Sequence, residues 1–82
     1  MKHAELRVEA VRFLRREASH IRRRPHQLIF PAKVVAEGAG GYAGALGHVA
    51  EEVAADLQAM GIACRYDKSS NPKRFVLDLS DA

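Results

Sequence analysis

PAKVVAEGAGGYAGALGHVAEEVAADLQAMG, residues 31–61, reads as a short helix, a glycine-rich turn and a longer amphipathic helix. In the longer helix Leu46, Val49, Ala50, Val53, Leu57 and Met60 recur at steps of three and four, which makes one apolar stripe. His48, Glu51, Glu52 and Asp56 fall on the other face, and Gly61 follows the stripe where a left-handed helix stop is wanted. The shorter helix is expected to open on Pro31, whose missing N–H costs nothing at a first helical position. Val34 and Val35 would face inward and Gly38 would close it. Between the two helices, Gly38, Ala39, Gly40 and Gly41 supply the positive φ angles a sharp bend needs. The unit is a helix-turn-helix.

The rest of the chain supplies a core for that unit. Leu6, Ala10, Phe13, Leu14, Glu17, Ala18 and Ile21 fall at helical spacing, with Val11 widening the stripe, so a helix is predicted over 4–23. Its polar side carries Arg12, Arg15, Arg16, Ser19, Arg22 and Arg23, and Pro25 ends it just after the Arg22–Arg24 triplet. Those three cations either complement the helix dipole or contact phosphate. Gln27 to Phe30 is a short extended segment, an edge for a small sheet whose other strands come later. Ile62, Cys64 and Tyr66 alternate with Ala63 and Arg65, and Phe75, Leu77 and Leu79 with Arg74, Val76 and Asp78, which marks two half-buried strands. They are joined by a polar hairpin loop, Asp67 to Lys73, with Asn71 and Pro72 as turn formers.

Eighty-two residues allow one domain, taken as 1–82 with a core over 4–79, and too little interior for a spacious active site. No apolar run approaches the roughly 20 residues of a membrane span. A polar start without a secretory pattern and a single cysteine lead us to expect a cytoplasmic protein. Cys64 is expected to be a small buried hydrophobe.

The formal net charge of +3 hides a segregation. Residues 1–33 sum to +6, residues 34–62 to −4 and residues 63–82 to +1. Nine of the thirteen basic residues are Arg, whose planar fork suits phosphate. A clustered positive field attracts polyanions even when the total is small.

The order helix, short strand, helix, glycine turn, helix, strand, basic loop, strand resembles the winged helix-turn-helix family, in particular its small archaeal-type DNA-binding modules. The resemblance covers 4–79 and includes the "GIACRY" strand after the third helix and the "NPKRFVL" strand after the wing. It implies an α+β fold of three helices and a small antiparallel sheet with a β-hairpin wing. It further implies groove contact from the front of the third helix, at Tyr42, Ala43, Ala45 and His48, and backbone contact from the wing, at Lys68, Ser69, Ser70, Lys73 and Arg74. Charge adds Arg12, Arg15, Arg16, Arg22, Arg23, Arg24 and Lys33. The third helix departs from the family pattern, since it holds no Lys or Arg, and Glu51, Glu52 and Asp56 would repel phosphate if they faced the duplex. On that ground the first helix is expected to outweigh the third in DNA binding.

Other constellations are weaker. "EGAGGYAG" lacks the βαβ context of a dinucleotide loop. His3, His20, His26 and His48 have no metal-ligand spacing, and no catalytic arrangement is legible. The expectation is therefore a non-enzymatic, cofactor-free protein that binds double-stranded DNA as a transcription regulator or nucleoid-associated protein, with no membrane or small-molecule partner. A homodimer is expected as well, because Val8 and Val11 widen the first helix's stripe beyond what one small sheet covers. The alternative is a winged-helix protein–protein module in which the acidic third helix and the basic first helix bind protein.

Overall fold

A computed structural model describes residues 2–21 and 26–79. The elements run α1 (His3–Ser19), β1 (Gln27–Pro31), α2 (Ala32–Gly38), α3 (Ala43–Gly47), α4 (Ala50–Ala59), β2 (Ala63–Asp67) and β3 (Arg74–Asp78). The described residues form an α+β fold: four helices against one face of a three-stranded antiparallel sheet of order β1-β3-β2. β1 is an edge, as its shortness predicts, with Ile29 opposite Val76 and Phe30 opposite Phe75. On the other side of β3, Cys64 lies opposite Leu77 and Tyr66 opposite Phe75. Period-two alternation thus brings Leu28, Phe30, Cys64, Tyr66, Phe75 and Leu77 to the face that meets the helices. There Phe30 sets its ring edge-on to Phe13 of α1 at 6.1 Å, and Tyr66 packs on Phe75 at 5.0 Å.

Helix α1 lays Leu6, Ala10, Val11 and Leu14 into the core. It stops at Ser19 rather than continuing to residue 23, with the His20 N–H bonding to the Arg16 and Glu17 carbonyls. Arg22, Arg23 and Arg24 lie outside the described residues.

The helix-turn-helix unit differs from expectation in detail. Pro31 is the last residue of β1, extended at φ −54° and ψ 143°, and caps α2 from outside instead of starting it. Its strand position is tolerable because β1 is an edge. Val35 is buried but Val34 is 44% exposed, since a helix this short turns only one of two neighbours inward.

The predicted third helix is two helices. His48 and Val49 close α3 with tight bonds to Ala45 and Leu46, and Val49 (φ −123°, ψ 6°) leaves helical geometry before its carbonyl starts α4. Gly44 and Gly47 make the first segment a poor helix former, while Leu46, Val49, Ala50, Val53 and Leu57 remain buried across the break. Met60, by contrast, is 50% exposed, past the end of α4.

Among the described residues only Gly40 (φ 85°) and Gly61 (φ 84°) take positive φ. Each ends a helix with the same bond pair: Gly40 to Glu37 with Gly41 to Ala36, and Gly61 to Gln58 with Ile62 to Leu57. Gly38 and Gly41 are needed for closeness instead. A methyl at Gly38 would strike the Phe13 ring, and one at Gly41 would come within 2.7 Å of a Leu6 methyl.

Candidate nucleic-acid interface

The wing is organised around Asp67, the last residue of β2. One carboxylate oxygen accepts from the Ser69 N–H (3.1 Å) and hydroxyl (2.7 Å); the other accepts from the Ser70 hydroxyl (2.7 Å) and Arg74 Nε (3.4 Å). An Asp two residues before a Ser folds a turn onto its own carboxylate in this way. The two hydroxyls, then the Ser69 N–H and Arg74, hold the Asp67 carboxyl well below its ordinary range, against a smaller opposing effect of burial. Ser69 and Ser70, expected at the nucleic acid, spend their hydroxyl protons on shaping the loop. Arg65 adds a longer ion pair to Asp67 at 3.9 Å.

Three of the four acids of the helix-turn-helix are paired within the chain, and the fourth, Glu37 of α2, is exposed without an ion pair among the described residues. Arg7 of α1 donates through Nε and Nη2 to the two oxygens of Asp56, both at 2.7 Å, and through Nη1 to Glu52 at 3.2 Å. The fork geometry lowers the Asp56 pKa and raises that of Arg7. Glu51 takes Lys68 of the wing at 2.7 Å, which also raises the Lys68 pKa. The three carboxylates that count against phosphate contact thus share two cations of the same chain. The same pairs remove Arg7 and Lys68 from the pool of free cations.

The remaining expected residues fall into two regions. Ala32 donates its N–H to the Lys73 carbonyl at 2.9 Å, so Lys33, next along α2, emerges beside the wing. Lys33 and Lys73 are exposed and form no ion pair among the described residues. Across the wing base, Gly47, His48, Glu51, Glu52, Tyr66 and Lys68 line one groove. His48 is stacked on His3 of α1 at 4.9 Å, and Tyr42, 71% exposed, stands just ahead of α3. Ala45 is buried, which removes it from any groove contact.

Arg12, Arg15 and Arg16 lie elsewhere. Arg15 shares a cleft with Gly61, Ala63 and Asp78, at the end of the β2–β3 hairpin away from the wing. Ala63 pairs with Asp78 there and Asp67 with Arg74 at the wing end, so roughly 13 Å of strand separates the two ends. Arg12 pairs with Glu9 at 3.2 Å, while Arg15 and Arg16 make no ion pair among the described residues. The structure thus brings Lys33, His48, Lys68, Ser69, Ser70, Lys73 and Arg74 to one end and leaves the α1 arginines apart.

Sequence reasoning did not single out Arg7 or Asp67. Arg7 sits among the apolar positions of α1, and a cation on the edge of a core stripe needs an acid. Glu52 and Asp56, four apart on one helical face, were the available pair. Burial pushes the Cys64 thiol up to about 11, which keeps it a neutral core group as expected. Among the described residues no cluster could hold a metal ion, and no helix is long and apolar enough to cross a membrane. Comparison with family models, with curated proteins and with solved structures finds no match to this chain.

Proposed function

We propose that this chain is a winged-helix DNA-binding module, a small regulator or nucleoid-associated protein that meets double-stranded DNA with the end formed by α2, α3 and the β2–β3 wing. The element order and the β1-β3-β2 sheet support the family reading. The observation that carries the functional one is the internal pairing of Glu51, Glu52 and Asp56 with Lys68 and Arg7. Arg7 and Lys68 offset two of those three charges, and Lys33 and Lys73, exposed beside the wing, supply cations for phosphate at an end that also carries the exposed Glu37. Tyr42 and His48 add a ring each at the front of the unit. No Arg, Asn or Gln stands in the first two turns from Tyr42, so the contacts position the duplex more than they read its bases.

The test is a mobility-shift titration on random-sequence duplex at stepped salt. Phosphate contact predicts log K falling linearly with log[salt], with a slope of about −0.9 per neutralised phosphate. Absence of a shift at low salt, or a slope near zero, overturns the reading.

A further inference from the structure

The outward face of α1 has no role in the core or in the proposed interface, yet its pattern is specific. Glu5, Val8, Glu9, Arg12 and Arg16 follow one another at steps of one, three and four, along the side opposite Leu6, Ala10 and Leu14. Acids occupy the first half of the face and arginines the second. The helix dipole accounts for that order of charges. It does not account for Val8, 51% exposed in the middle of the face, where Ala4, Glu5, Val8 and Glu9 line a shallow depression.

We propose that this face is a homodimer interface in which α1 packs antiparallel on α1 of a second copy. The charge pattern selects both occupant and direction. About a two-fold axis crossing between Glu9 and Arg12, Glu5 and Glu9 of each copy meet Arg16 and Arg12 of the other. Each Val8 then lies on the aliphatic stems of the opposing arginines. A parallel pair would set acid on acid and arginine on arginine. The acids of α4 are held by Arg7 and Lys68 from other elements of the fold, whereas Glu9 and Arg12 share only an exposed 3.2 Å pair along α1 and would exchange it for the same pair across the axis. A helix of 17 residues offers roughly 25 Å of contact, which suits a small, weak interface. The proposal is independent of the DNA reading, since it uses the surface which that reading leaves free.

Sedimentation of the full chain, from low micromolar to several hundred micromolar, tests it. The wild-type chain of 9.0 kDa should approach twice that mass as concentration rises. Glu5→Arg with Glu9→Arg should stay monomeric, as should Arg12→Glu with Arg16→Glu, while an equimolar mixture of the two variants should associate. All four positions are at or near the surface, and circular dichroism checks that each variant is folded. Val8→Ser, which leaves every charge in place, should weaken association on the order of tenfold. A wild-type monomer at every concentration overturns the proposal, as do variants that still self-associate or a mixture that does not. Loss of duplex binding by the Arg12/Arg16 variant of a monomeric wild type would assign those cations to DNA instead.

Discussion

Asp67 holds the wing together through donors that need its negative charge. Its carboxyl is depressed by the Ser69 and Ser70 hydroxyls, with the Ser69 N–H and Arg74 adding to them, so the folded state favours the ionised form more than the unfolded chain does. The stabilisation is therefore fully present above the unfolded carboxyl pKa of about 3.9 and is lost as pH falls below it toward the folded value. Asp67→Asn keeps the shape and removes the charge. Urea melts should show the variant less stable than wild type at neutral pH, with the gap narrowing in acid. A gap that stays constant with pH would mean that the carboxylate contributes by shape alone.

At the scale of elements, the two helix breaks come from different physics, which glycine substitutions separate. Gly38 lies in α2 under the Phe13 ring, so Gly38→Ala must displace a half-buried aromatic that packs on the core and should cost about 1–3 kcal/mol. Gly47 ends α3 with nothing within 4 Å of an added methyl, so Gly47→Ala should instead stabilise by about 0.5–1 kcal/mol. Chemical denaturation of both variants checks the opposite signs. This contrast also marks the limit of what was legible in the chain. Apolar spacing located the helices and both hairpin strands, and it named Leu46, Val53, Leu57, Phe75 and Leu77 as core because burial follows period. It could not show that α3 and α4 part at Val49, since the stripe continues across the break. Nor could spacing separate a glycine that turns the chain from one that lets a neighbour approach: Gly40 and Gly61 do the first, Gly38 and Gly41 the second. The wing residues were legible as a polar basic loop, but the contacts that engage Lys68, Ser69, Ser70 and Arg74 depend on which side chains the fold brings near Asp67 and Glu51.

Across the whole molecule, a chain segregated into blocks of +6, −4 and +1 folds so that the basic blocks lend cations to the acidic one. Arg7 comes from the first block and Lys68 from the last, and both meet the acids of α4. Among the described residues, the cations left without an ion pair include Lys33 and Lys73 beside the wing and Arg15 and Arg16 of α1. We propose the opposite weighting to the one that linear charge suggests, because Arg7 and Lys68 offset two of the three α4 charges that count against the helix-turn-helix. Lys33→Ala with Lys73→Ala should weaken random-duplex binding roughly tenfold at low salt and flatten the salt slope by up to about two. Arg15→Ala with Arg16→Ala should leave the slope near wild type. Sedimentation of the same samples separates a lost phosphate contact from a lost contact between copies. If the arginine pair lowers the slope and the lysine pair does not, duplex DNA lies along α1, and the wing end is not the interface.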